Sequence, residues 1–118
     1  MNYPHLKIKT RPLFCPVIKA EIYSEGHLER FILQRWGDIF PFNHEGTRKK
    51  ISKRSIPDFI GGNENGCYII ELKHRPIRES DSRQIWKYRK DASLVDNLLG
   101  VFIVGYDNWK QEISIYAV

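Results

Sequence analysis

The sequence has little cysteine and no long apolar run, which argues against a cysteine-based zinc site and against a membrane span. Cys15 and Cys67 are far apart and form no CxxC motif, so neither indicates a zinc site. No stretch reaches the roughly 18 apolar residues of a membrane span, and none has the pattern of a signal peptide. We therefore expect an intracellular, cytoplasmic protein with no membrane partner, with Cys67 as a small core residue.

The sequence also lacks internal repeats, low-complexity tracts and any linker that would divide it. Its 118 residues are 42% hydrophobic and include six Phe, six Tyr and three Trp, which excludes a disordered chain of low hydropathy. A second independent core would leave each half of the chain too small to bury enough apolar surface. We predict one domain over residues 1–118, with an N-terminal extended segment (1–23) before the core (24–118), and Trp36, Trp86 and Trp109 as packing residues.

Acidic residues are in deficit, with fourteen Asp and Glu against nineteen Lys and Arg, a net charge of +5 and a pI near 9.3. Such a field attracts polyanions, and nucleic acid is the leading partner class, although many basic proteins bind none. The basic residues cluster on two segments, which could instead be solvated faces. They are Arg48, Lys49, Lys50, Lys53 and Arg54, followed by Arg75, Arg78, Arg83 and Lys87.

Periodicity predicts a first helix after Ser24, a suitable N-cap, with Gly37 as its stop. A hairpin or loop is expected over 39–54. Residues 56–60 and 67–73 then read as antiparallel strands joined by the turn-forming cluster 61–66.

Apolar residues at three- and four-residue steps predict a second helix over about 82–98, ended by Gly100. Strands are expected at 101–106 and 112–118. The order α, β, β, β, α, β, β indicates an α/β (α+β) fold in which helices flank a mixed sheet.

Three chemically active side chains are predicted to converge. Strand alternation places Glu71 and Lys73 on one face, and the hairpin brings the Asp58 carboxylate beside Glu71. Two adjacent carboxylates repel each other unless a divalent cation lies between them, and Mg²⁺ prefers oxygen ligands. An amine such as that of Lys73 can orient or deprotonate an attacking water. By the same alternation, His74 points to the opposite face.

Simpler interpretations exist for each residue. Asp58 could be a strand-end aspartate bound to backbone amides, and Glu71 with Lys73 could be a surface ion pair of small energetic value. The apolar neighbours of Glu71 argue against exposure.

The stretch Ile56-Pro57-Asp58, a gap of twelve residues, and then Glu71-Leu72-Lys73 resembles the signature of the PD-(D/E)XK nucleases. That family carries a glutamate on an N-terminal helix, which Glu25 matches with Glu29 one turn away. Gln84-Ile-Trp-Lys-Tyr88 is similar to its Q-x-x-x-Y helix motif. The likeness covers residues 24 to about 106.

The resemblance implies a restriction-endonuclease-like core of order α-β-β-β-α-β, here with an extra C-terminal strand. It also implies a metal-dependent DNA endonuclease that holds Mg²⁺ or Mn²⁺ through Asp58, Glu71, Glu25 and the Leu72 carbonyl. Gln84 would take part in the site, and Tyr88 and Glu29 would support it. Each of these roles has an alternative. Glu25 could simply be favoured by the helix dipole, Gln84 could be a solvated helix residue, and Tyr88 could be a core residue alone.

Within the family, the sequence is most similar to the catalytic domain of EndoMS-type nucleases and less so to archaeal Holliday junction resolvases. Branched, mismatched or single-stranded DNA is the implied substrate, and a homodimer is the expected assembly, since a duplex has two strands to cut. The alternative is a non-catalytic nucleic-acid-binding module with a nuclease-like fold.

Overall fold

A computed structural model describes residues 18–51, 56–81, 83–84, 87–88 and 97–117. These residues form an α+β fold built on one mixed six-stranded sheet. The elements in chain order are β1 (Ile18–Lys19), α1 (Glu25–Gln34), α2 (Trp36–Ile39), β2 (Asn43–Thr47), β3 (Phe59–Asn63), β4 (Gly66–Leu72), β5 (Leu98–Asp107) and β6 (Glu112–Ala117).

The strands lie in the order β1-β6-β5-β4-β3-β2, and β4 and β5 are parallel while every other pair is antiparallel. A parallel pair needs a crossover, and described residues between β4 and β5, from Asp81 to Tyr88, are helical. The carboxyl ends of β4 and β5 meet at one end of the sheet, named here the carboxyl end. Because β3 runs the other way, it begins there, with Phe59 opposite Ile70.

The two faces of the sheet carry separate apolar clusters. On one face, Leu28 and Ile32 of α1 pack with Ile70 and Leu72 of β4. On the other, Ile69 lies in a smaller cluster whose further members are Val101, Ile103 and Tyr88. Alternation along β4 therefore divides its side chains as the sequence predicted.

The first helix is confirmed, but its predicted end is wrong. The Ser24 Oγ accepts the His27 N–H at 3.0 Å, so Ser24 is the N-cap. The chain leaves α1 at Arg35, and Gly37 lies inside α2 instead of stopping a helix. The break allows the Trp36 ring to bury among aromatic neighbours and its Nε1–H to bond the Phe42 carbonyl at 2.7 Å.

The glycine-rich cluster 61–66 is not all turn. Gly61 and Gly62 belong to β3, and the turn consists of Glu64 and Asn65. A Cβ at Gly61 would collide with the Phe42 ring, so the glycine serves close packing over a strand.

The predicted end of the second helix is also wrong. Leu98 opens β5 and Gly100 lies within it, because residues 98–100 pair with β4 at Cys67 and Tyr68. The remainder of the predicted helix beyond Tyr88 lies outside the described residues.

Other predictions on single residues are mixed. Cys67 and Trp36 are buried as expected, whereas Trp109 is 96% exposed and does not pack. Trp109 lies in the turn after β5, beyond the buried residues of that strand. Trp86, Cys15 and residues 1–17 lie outside the described ranges. In the part of the chain that the structure describes, no helix has the length and apolar character of a membrane span.

Candidate active site

Asp58 and Glu71 are connected at the carboxyl end of the sheet by two hydrogen bonds, each from a main-chain N–H to a carboxyl oxygen. Asp58 directly precedes β3, and Glu71 is the penultimate residue of β4. The Asp58 N–H donates to the Glu71 Oε1 at 3.2 Å, and the Leu72 N–H donates to the Asp58 Oδ2 at 2.8 Å. The antiparallel pairing of β3 and β4 thus fixes both carboxyl groups side by side.

The Glu71 carboxyl is buried, with 5% of the residue exposed. Burial, a hydrogen bond with the Asp58 carboxyl and the negative charge of Asp58 raise its pKa from 4.5 to about 8. The Tyr88 hydroxyl and the Lys73 charge act in the opposite direction but are weaker. At neutral pH Glu71 therefore carries a proton in the absence of another cation.

Tyr88 reaches this carboxyl pair from the helical segment, and Gln84 reaches Tyr88. The Tyr88 hydroxyl donates to the Glu71 Oε2 at 3.0 Å, and the Gln84 Nε2 donates to the Tyr88 hydroxyl at 3.2 Å. Burial and the charge of Glu71 raise the pKa of Tyr88, so the phenol stays a donor. Tyr88 is thus both a core residue and a partner of Glu71, and Gln84 is not simply solvated.

Lys73 follows β4 directly and is partly buried. Its N–H bonds the Val104 carbonyl at 2.8 Å, which extends the β4–β5 pairing by one residue and fixes its position. Its ammonium charge lowers the pKa of Glu71 and acts also on Asp81. The predicted trio Asp58, Glu71 and Lys73 is therefore brought together.

Leu72 contributes its main chain. In a strand, the N–H and C=O of one residue point toward the same neighbouring strand. Because the Leu72 N–H bonds Asp58, its carbonyl is directed to the same side.

The two helix glutamates both interact with arginines. Glu25 is exposed in the first turn of α1, where its charge acts on Arg75. The Glu29 Oε2 accepts the Arg48 Nη1 at 2.6 Å, and the Arg48 N–H in turn bonds the Asp58 carbonyl at 3.0 Å. No group of three or more His, Cys, Asp or Glu suited to a metal occurs among the described residues. The ligand role of Glu25 stays a prediction.

Asp81 was not among the residues predicted from the sequence. It is buried, and its carboxylate accepts both Nη atoms of Arg75, at 3.0 and 2.6 Å, and the Arg78 N–H at 2.8 Å. Burial alone would raise the pKa of Asp81, but these bonds lower it below its usual value. An acid ahead of a helix and close to two arginines was the available signal.

The predicted DNA-contacting residues differ in how they are placed. The side chains of Arg48 and Arg75 are engaged by Glu29 and Asp81. Five others are exposed, namely Lys49, Lys50, Arg78, Arg83 and Lys87, while Lys53 and Arg54 lie outside the described residues.

His74 lies on the α1 face, as alternation predicted. Its Nε2 contacts the Ile22 carbonyl at 2.7 Å, and its ring stacks on Tyr106 at 5.2 Å. Its role is to join the segment before α1 to the sheet.

The arrangement can hold a cation between two carboxyl groups, and it presents an amine on the same face. Comparison of the chain with family models, with curated proteins and with solved structures gave no match.

Proposed function

We propose that this protein is a metal-dependent DNA endonuclease that hydrolyses phosphodiester bonds, of the PD-(D/E)XK kind. The observation that carries the proposal is the Asp58–Glu71 pair, held by two reciprocal main-chain bonds with Lys73 beside it. A pair of acids that repel phosphate has little use in a module that only binds nucleic acid.

The residues fit a divalent cation. A buried carboxyl whose pKa is raised by burial and by a second carboxyl is a group whose charge a cation would stabilise. Mg²⁺ usually takes one or two protein carboxylates and keeps several waters. Asp58, Glu71 and the Leu72 carbonyl would hold Mg²⁺ or Mn²⁺, with Glu25 proposed as a further ligand. When bound, the ion would supply charge stabilisation at the phosphate and lower the pKa of water.

The other residues have separate tasks. The Lys73 ammonium orients the attacking water and offsets negative charge at the scissile phosphate. Tyr88, held by Gln84, fixes the Glu71 carboxyl in one orientation. The exposed Lys49 and Lys50 follow β2 on the approach to Asp58 and bind phosphates on either side of the cleaved bond.

The order of elements supports the same family. A helix, three antiparallel strands, helical crossover residues and a parallel strand follow one another, with β6 added at the C-terminal end. We propose a structure-specific substrate and a homodimer, because a single site cuts one strand.

The test is cleavage of linear duplex, single-stranded, flapped and four-way-junction DNA, with Mg²⁺, with Mn²⁺ and with EDTA. We expect metal-dependent cleavage that falls at least about 100-fold in Asp58→Asn and in Lys73→Met, by loss of preorganised charge. Glu64→Gln, in the exposed β3–β4 turn, is the matched control and should cleave normally. Undiminished cleavage by both site variants would refute the assignment, and binding without cleavage by the wild type would favour the non-catalytic module.

A further inference from the structure

A second basic surface lies where α1 faces β1. It is an open cleft with a volume of about 580 Å³, bounded by β1 and the following segment on one side and by one flank of α1 on the other. We name it the α1–β1 cleft. Its cationic side chains are Lys19, Arg30 and Arg35, with Phe31 beside them. None of these residues was singled out by the motifs.

Two of the cations are available to a ligand. Arg30 is exposed and has no ion-pair partner within the described part of the chain. The Arg35 guanidinium stacks on the Phe31 ring, 3.8 Å from its centroid, which leaves its in-plane N–H donors free to bond. One acid, Glu21, also lines the cleft; its carboxylate accepts the Tyr23 hydroxyl at 2.5 Å, and its single negative charge is outnumbered by the positive charges of Arg30 and Arg35. Unpaired arginines of this kind suit phosphate oxygens.

An exposed aromatic side chain lies in a turn next to the β1 side of the cleft, where the Ala20 N–H bonds the Gln111 carbonyl at 2.9 Å. Trp109 lies in the turn between β5 and β6 and is 96% exposed. The Asp107 Oδ1 accepts the N–H groups of Trp109 and Lys110 at 2.9 and 3.1 Å, so the turn is fixed. Lys19, in the cleft, reaches the Lys110 carbonyl at 3.4 Å. A basic groove together with an exposed aromatic ring is a combination that binds single-stranded nucleic acid.

Lys19, which lines the cleft, lies toward the carboxyl end of the sheet, where the candidate active site also lies, because it pairs with Glu112, which pairs with Asp107. The α1 side of the cleft and Glu71 lie on opposite faces. Glu71 points toward Tyr88, whereas α1 packs on the other face, against Ile70 and Leu72. From β4 to β1 there are three strand spacings, roughly 14 Å. A strand that reaches both sites must turn round this end. Duplex DNA resists such a turn because its persistence length is about 150 base pairs, and a single strand does not.

We infer that the α1–β1 cleft binds a single-stranded DNA segment, with phosphates on Arg30 and Arg35 and a base stacked on Trp109. As a statement about substrate, this inference rests on the proposed nuclease function and makes the substrate a duplex with a single-stranded arm. The binding itself does not depend on cleavage.

Binding is measured on the full chain in EDTA, by fluorescence anisotropy of a labelled oligothymidylate and by quenching of tryptophan emission. We expect quenching in the wild type that Trp109→Phe largely removes, and about ten-fold weaker binding in Trp109→Ala. Arg30→Gln with Arg35→Gln should also weaken binding about ten-fold. That double variant should reduce the slope of log affinity against log salt by about 1.4, for two lost phosphate contacts.

The matched control is Asn63→Asp with Asn65→Asp, which removes the same two units of net charge at the far end of the sheet. Asp at position 63 keeps the side-chain oxygen that accepts the Asn65 N–H. This control should bind the oligonucleotide within about two-fold of the wild type. Equal weakening in both double variants, no quenching, or equally tight binding of polyglutamate would overturn the cleft assignment.

Cleavage of flapped against blunt duplex DNA then tests the substrate. The arginine double variant should lose about ten-fold of any preference for the flap and keep its rate on blunt duplex. An unchanged flap preference would overturn the substrate assignment. If the wild type cuts neither DNA but still binds the oligonucleotide through Trp109, the proposed nuclease function fails while the cleft remains a single-strand site.

Discussion

The Tyr88 hydroxyl donates a hydrogen bond to the Glu71 Oε2 at 3.0 Å, and this bond connects the helical segment to the candidate active site. The donor favours the charged form of Glu71 and so works against burial and the Asp58 charge. Tyr88 thereby influences at which pH Glu71 becomes an anion that a cation can bind.

Tyr88→Phe should raise the pKa of Glu71 above about 8, since the hydroxyl that lowers it is lost. The rising limb of the pH–rate profile for DNA cleavage should move to higher pH, and the variant should lose about 1 kcal/mol of unfolding free energy. Tyr68→Phe is the control, because Tyr68 stacks on Phe42 on the α1 face. A pH profile that shifts equally in both variants would remove Tyr88 from the site.

Glu71→Gln should stabilise the metal-free protein at alkaline pH. The folded pKa of Glu71, about 8, is above its ordinary value of 4.5, so the wild type loses stability as pH rises from about 4.5 to about 8 and then levels off. The glutamine has no charge to bury. Urea denaturation in EDTA at pH 5 and pH 9 should show a variant advantage that grows by a few kcal/mol, on the order expected from the shift.

Glu64→Gln, in the exposed β3–β4 turn, controls for the loss of an acid and should show no such growth. Asp58→Asn should reduce the pH dependence of the wild type, because Asp58 supplies two of the effects that raise the pKa of Glu71. A stability curve for Glu71→Gln parallel to that of the wild type would mean that Glu71 ionises normally.

The site could be predicted from the sequence because it depends on local strand geometry. Alternation and one hairpin suffice to place Asp58, Glu71 and Lys73 on one face. The same reasoning failed at Gly61 and Gly100, where long-range packing against Phe42 and pairing with β4 decide the conformation. Local turn propensity has no information about such neighbours.

Asp81 and the α1–β1 cleft were missed for a related reason. The role of the Asp81 carboxylate depends on its bonds to Arg75, which form only when the chain after β4 folds back. The cleft lies between β1 and α1, and its Lys19 contacts the β5–β6 turn, so three segments with no common motif meet there. Only the sheet order brings them together.

Metal binding should release a proton at neutral pH. Glu71 is protonated at pH 7 in the metal-free protein, and a ligand carboxyl must lose its proton to bind. Isothermal titration with Mg²⁺ or Mn²⁺ in two buffers of different ionisation enthalpy should give about one proton released per ion at pH 7 and much less at pH 9. Asp58→Asn should abolish binding. Binding with no buffer dependence at pH 7 would show that Glu71 is not a ligand or that it is already ionised, and the stability curve of Glu71→Gln separates these two outcomes.

The Arg75–Asp81 ion pair should contribute more to stability than an exposed pair, because Asp81 is 5% exposed and is held by two parallel hydrogen bonds. Removing Asp81 alone leaves a partly buried guanidinium without its partner, and Asp81→Ala should cost about 2 kcal/mol. A double-mutant cycle with Arg75→Ala, followed by urea denaturation, should give a coupling energy above about 1 kcal/mol. The same cycle on Lys19 and Glu112, whose side chains are 74% and 22% exposed, should give less than about 1 kcal/mol. Equal coupling in the two cycles would mean that Asp81 does not anchor the segment between Lys73 and the crossover helix.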